Sequence, residues 1–153
     1  ILVCLVGSEM CIRDSQFALR SKKTSVTVST QVLLGDTIGE LNFLYSLADV
    51  AFVGGSLIDH GGQNLLEPSA QGLPLLSGPS LRNFLDISEQ LKENESLKIV
   101  KNSIELSDRF IEYIADDKAM KKAGNNAFQV FMKNRGALGN ITHHLDLLLK
   151  KKI

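Results

Sequence analysis

A chain of 153 residues with 44% apolar content is long enough for one globular domain with a real core, which excludes a disordered tail. Its 17 basic and 17 acidic residues cancel, so the overall charge gives no reason to expect a nucleic-acid partner and leaves small-molecule binding open. No apolar run approaches the roughly 18 residues needed to cross a bilayer, and membrane contact is expected to be peripheral.

Cys4 and Cys11 are the only cysteines. They have neither the number for a disulfide framework nor the spacing of a zinc site, which fits a reducing, cytoplasmic setting. Residues 1–15, ILVCLVGSEMCIRDS, read locally as a short strand and a polar turn. The run VCLVGSEMCIRDS also resembles translated sequencing-adaptor sequence. On that reading residues 1–15 are not native, both cysteines are accidental, and one domain spans 16–153, truncated on its N-terminal side.

From Val26 to Leu34 the chain is rich in β-branched residues and stops at Gly35-Asp36, which predicts a strand entering a turn. Leu41, Leu44, Tyr45 and Ala48 recur at helical spacing, and Val50–Val53 is a short apolar strand ending at Gly54-Gly55. A loop over 56–63 leads to a helix around Pro68–Gln71, then a brief strand at Pro74–Leu76 closed by Gly78-Pro79. Phe84, Ile87 and Leu91 mark a further helix and Leu97–Val100 a further strand. Helices then take over: Asn102 and Glu105 form a capping-box pattern ahead of Ile111 and Ile114. Ala119, Ala123, Ala127 and Val130 line the next helix, and Leu138, Ile141, Leu145 and Leu148 the last. Short apolar strands alternating with helices predict an α/β fold, a Rossmann-like parallel sheet with helices on both faces that ends in a helical segment.

Open α/β sheets bind ligands beyond the carboxyl ends of their strands, which singles out the loops after Leu34 and Val53. These read Gly35-Asp-Thr-Ile-Gly-Glu40 and Gly54-Gly-Ser-Leu-Ile-Asp-His-Gly-Gly-Gln-Asn-Leu-Leu-Glu67. Paired glycines let backbone amides approach a ligand, and a helix N-terminus adds donors and a favourable dipole, so a phosphate can be held without a lysine. Gly54, Gly55, Ser56, Gly61 and Gly62 are the expected phosphate loop. An anion repels carboxylates, so Glu40 and Glu67 would have to face hydrogen-bond donors such as ribose hydroxyls or a cytosine amino group. The plainer alternative is that Thr37-x-x-Glu40 and Asn64-x-x-Glu67 are capping boxes and nothing more. Pro68 argues the other way at the second site: as a first helical residue it would leave Asn64–Glu67 in the loop. His60 and the pair His143-His144 read as solvated side chains. Lys150–Lys152 complement the last helix dipole, with contact to anionic lipid as the lesser alternative.

Gly54-Gly55 with Glu67, Ala70, Gly72 and Pro74 resembles the donor signature of GT-B glycosyltransferases, a glycine pair ahead of E-x-x-A-x-G-x-P. The ordered blocks GDTIGEL (35–41), ADVAFVGGSL (48–57), GGQNLLEP (61–68), GLPLLSGP (72–79) and NRGAL (134–138) resemble, more particularly, the bacterial Kdo (3-deoxy-D-manno-octulosonic acid) transferases. The resemblance covers the chain from about Phe17 onward. It implies the C-terminal, donor-binding half of a GT-B enzyme that transfers Kdo from CMP-Kdo to a lipid A precursor (lipid IVA), with no metal or cofactor. It also implies that Ile38, Gly39 and Glu40 with Asn64, Leu65, Leu66 and Glu67 line the CMP pocket.

No catalytic residue is expected in this stretch, because the family's general base sits in an N-terminal domain. That domain would also meet the acceptor and the cytoplasmic face of the inner membrane, and without it the stretch alone is expected not to turn over. The sequence departs from the family pattern GGHNPLE at Gln63 and Leu65, and from GPHTFNF at Ser80-Leu-Arg82. Gln63 removes a titratable ring, and Leu65 in place of proline is expected to loosen the pocket. Two alternatives stay open: another GT-B enzyme using a UDP sugar, and a non-catalytic α/β interaction module.

Overall fold

The computed structural model describes residues 2–4, 15–23 and 25–135. The chain forms two compact units, Ile1–Asp49 and Val50–Ile153. Among the described residues, six parallel strands pair as two three-stranded sheets, one in each unit, where the sequence pattern suggests a single sheet.

In the first unit, β1 (Leu2–Cys4) and β2 (Phe17–Leu19) flank the central β3 (Val32–Leu34), and α1 (Leu41–Ser46) follows. Leu44 of α1 packs with Ala18 and Leu33. The strand expected over 26–34 shrinks to its last three residues. Val28 is wholly solvent-exposed, and Thr27 and Thr30 close a turn in which the Thr30 amide donates to the Thr27 carbonyl at 3.0 Å and the Thr27 amide to the Thr30 hydroxyl. A β-branched run without a surface to cover does not hold a strand.

The second unit runs β4 (Ala51–Val53), α2 (Leu66–Ala70), β5 (Leu75–Ser77), a 3-10 turn (Arg82–Phe84), α3 (Leu85–Glu93), β6 (Leu97–Ile99), α4 (Ser103–Ala115) and α5 (Asp117–Asn134). Its sheet order is β4-β5-β6, each pair parallel. Because side chains alternate along a strand, Val53, Leu75 and Leu97 bury one face against Leu65, Leu81, Leu91 of α3, and Ala127 and Val130 of α5. The opposite face, carrying Phe52 and Leu76, packs on Tyr113, Leu106 and Phe110 of α4 and Ala123 of α5. Helices on both faces are therefore borne out.

Asn102 caps α4, its side-chain oxygen accepting from the amides of Ile104 and Glu105. The return leg goes one residue further than a capping box, from the Lys101 amide to Glu105. α5 lies close on the connection from α2 to β5: a Cβ at Gly124 would stand 2.1 Å from the Gly72 carbonyl oxygen. The expected final helix, His143-His144 and Lys150–Lys152 lie outside the described residues. Among the described residues, no helix is long and apolar enough to cross a membrane.

Candidate functional site

The loops after β4 and β5 leave the carboxyl ends of parallel strands, where such sheets bind ligands. They are knitted together through Ser56, which is fully buried. Its hydroxyl donates to the Val53 carbonyl at 2.7 Å and accepts the Gly78 amide at 2.8 Å, while its carbonyl accepts the Ser80 amide at 3.0 Å. The Gly61 amide donates to the Ser80 hydroxyl at 2.9 Å, and the Gly62 amide to the Gly55 carbonyl at 3.0 Å.

The expected phosphate loop therefore divides. The Ser56 hydroxyl and the Gly61 and Gly62 amides spend their donors inside the protein. Gly61 is glycine for its backbone: φ 88° is a left-handed conformation that strains other residues, and a Cβ there would also displace the Asn83 side-chain amide, which lies 2.5 Å away. Gly54 and Gly55 differ, since no hydrogen bond among the described residues engages their amides.

Helix α2 begins at Leu66, two residues ahead of Pro68, so Glu67 lies in its first turn and not in the loop that the proline suggested. Pro68 is tolerated there because first-turn amides have no intrahelical acceptor to lose. The Asn64 side chain joins loop to helix: its oxygen accepts the Leu66 amide at 3.0 Å, and its nitrogen donates to Glu67 Oε1 at 3.1 Å. Asn64 and Glu67 are half-buried and held as a pair, and no group among the described residues bonds the second Glu67 oxygen. Leu65 is 0% exposed within the core, so its side chain has no access to a ligand and anchors the loop where looseness was expected. Leu66 is half-buried. Helices α1 and α2, of 6 and 5 residues, are too short to contribute the aligned dipole anticipated for a phosphate.

In the first unit, Ile38 is wholly exposed and Gly39 takes φ 86° with open space around it. Glu40 stands at the N-cap of α1 without making a cap bond, so the capping-box reading of Thr37-x-x-Glu40 is not met. Its carboxylate instead accepts the Thr37 hydroxyl and both arms of the Arg20 guanidinium, at 2.8 and 3.1 Å. The Thr37 hydroxyl first, and then Arg20, hold the Glu40 carboxyl below its ordinary range. Arg20 was not foreseen, since it is paired across 20 residues and nothing in its own neighbourhood announces the partner.

A cavity of about 430 Å³ opens beside these loops in the second unit, lined among others by Leu57, Ile58, Asp59, Arg82 and Leu85. Neither Asn64 nor Glu67 lines it. The Arg82 guanidinium meets Asp59 there at 2.6 Å.

Parallel strands with helices on both faces and glycine-bearing loops at their carboxyl ends define a Rossmann-like domain of the kind that forms the C-terminal half of GT-B glycosyltransferases. A family model for glycosyl transferases group 1 matches residues 1–130, and the chain belongs to that family. It is 40% identical over 134 residues to the 3-deoxy-D-manno-octulosonic acid transferase of Haemophilus influenzae, across 87% of this chain and 31% of that protein. It is 58% identical over 55 residues to the enzyme of the same name from Bordetella pertussis, across 36% of this chain and 13% of that protein. A solved structure, the C-terminal CMP-Kdo binding domain of WaaA from Acinetobacter baumannii, superposes with a TM-score of 0.75 at 33% identity, covering 80% of this chain and 64% of that one. The resemblance carried by the five sequence blocks is thus borne out. The chain spans under a third of the length of these curated relatives.

Proposed function

We propose that the chain is the donor-binding part of an enzyme transferring Kdo from CMP-Kdo to a lipid A precursor, lipid IVA, in lipopolysaccharide core assembly. The observation that carries this reading is the likeness of four-fifths of the chain, at 33% identity, to a domain described as binding CMP-Kdo. The coupling of Asn64 to Glu67 supports it chemically. A carboxylate pre-oriented by an amide offers its second oxygen to a ribose hydroxyl or the cytosine amino group, both of them donors. The uncommitted amides of Gly54 and Gly55 suit the phosphate, where charge develops as CMP departs in an inverting transfer.

The general base, the acceptor lipid and peripheral attachment at the cytoplasmic face of the inner membrane fall to another domain of the whole enzyme. No metal or cofactor is called for, because nucleotide departure is served by positioning and by hydrogen-bond donors.

Calorimetric titration with CMP and with UDP tests the assignment. CMP should bind the tighter; tighter binding of UDP would transfer the chain to the enzymes that use UDP sugars.

A further inference from the structure

We propose that Arg82 binds an oxyanion of the donor, the carboxylate of its acidic sugar or its phosphate, inside the cavity beside the β4–α2 loop, by releasing Asp59. The inference deepens the donor-site reading and rests on it.

One loop serves both ends of the ligand. Its later residues, Asn64 to Glu67, are those assigned to the nucleotide, while its earlier residues, Leu57 to Asp59, form the cavity wall. What remains of the donor is an acidic sugar, and the cavity matches its chemistry. Leu57, Ile58 and Leu85 are exposed apolar walls suited to the C–H surface of a sugar ring. An anion in that space has no backbone donors from Gly61 or Gly62 and no hydroxyl from Ser56, since all three are engaged within the protein. Arg82 is the cation in the lining.

Its present engagement is slight. A guanidinium carries five N–H donors in a fixed fork that matches a carboxylate or phosphate, yet Arg82 meets Asp59 through Nη1 alone. Both side chains are largely in solvent, at 59% and 84% exposure. An exposed single-contact pair is weak and can be exchanged at little cost for a two-pronged one. Asp59 is then a placeholder that keeps the guanidinium over the cavity until an anion arrives.

The experiment titrates the parent chain, Arg82→Gln, Arg82→Lys and Asp59→Asn with cytidine, CMP and free Kdo, following calorimetric heats and amide shifts. Arg82→Gln should weaken the probe that carries the recognised oxyanion by about tenfold, as expected for a lost charge-assisted contact. Loss on CMP identifies the phosphate, and loss on Kdo the sugar carboxylate. Arg82→Lys should recover that affinity in part, and Asp59→Asn should tighten the same probe by removing its competitor. Cytidine should bind all four proteins alike.

Equal weakening of cytidine would mark Arg82 as structural and overturn the inference. Unchanged CMP and Kdo affinities in Arg82→Gln would overturn it while leaving the donor-site reading intact. A parent chain that takes up none of the three probes would overturn both.

Discussion

The Arg20 guanidinium grips both oxygens of Glu40, from Nη2 at 2.8 Å and from Nε at 3.1 Å, and its Cζ lies 5.5 Å from the centre of the Phe43 ring. Glu40 is one of the carboxylates that the family resemblance implies for the nucleotide, and Arg20 and Thr37 orient it and lower its pKa within its own unit. Truncation at Arg20→Ala should raise the Glu40 pKa toward the ordinary value of 4.5, read from its carboxyl carbon shift during an acid titration. An unchanged midpoint would show that the Thr37 hydroxyl alone sets it.

The pair also ties stability to pH. Glu40 binds its proton less readily in the folded chain than in the unfolded one, so its contribution is complete above the unfolded pKa and disappears as pH falls through the lower folded value. Parent and Arg20→Ala should differ in urea midpoint near neutrality and converge once the pH has fallen through the lowered folded value of Glu40. A gap that persists in acid would trace the effect to packing on Phe43 instead.

Ser56 should prove structural. Its hydroxyl satisfies the Gly78 amide and the Val53 carbonyl at a fully buried position. Ser56→Ala leaves a buried amide without a partner, which costs about 1–3 kcal/mol, measurable by urea unfolding. Stability equal to the parent would mean that water replaces the hydroxyl.

Gly124→Ala reverses the usual sign of a helix substitution. In an exposed helix interior the change gains up to about 1 kcal/mol, but here the added methyl would stand 2.1 Å from the Gly72 carbonyl oxygen. Forcing α5 away from that connection should cost about 1–3 kcal/mol in chemical denaturation. A stabilised variant would refute the close approach.

Much of this fold can be read from residues that are both apolar and periodic. Ala127 and Val130 fall in the core as their helical spacing predicts, and Val53, Leu75 and Leu97 do so within the short apolar runs read as strands. Failures occur where propensity and burial part company. Val26 and Val28 favour a strand, yet they have no sheet face to cover and sit in a turn region. Phe17–Leu19 is too short to show a period. Leu65 stands within the motif expected to line the pocket, yet its side chain belongs to the core, which a motif match cannot distinguish from a ligand contact. The Asn64–Glu67 coupling was half legible: the spacing marks a helix start, and what it does not show is that Asn64 binds the Glu67 side chain in addition to a backbone amide. Pairs distant in sequence, such as Arg20 with Glu40, have no local signature at all.

Amide NMR of the parent chain and of Glu67→Ala during titration with CMP bears most directly on the donor site. Shifts should concentrate at Gly54, Gly55 and Asn64–Glu67, and the variant should bind about tenfold more weakly while keeping the parent's melting temperature to within a few degrees. A variant that melts well below the parent yet binds CMP equally well would show that Glu67 only secures the first turn of α2, and would contradict the assignment.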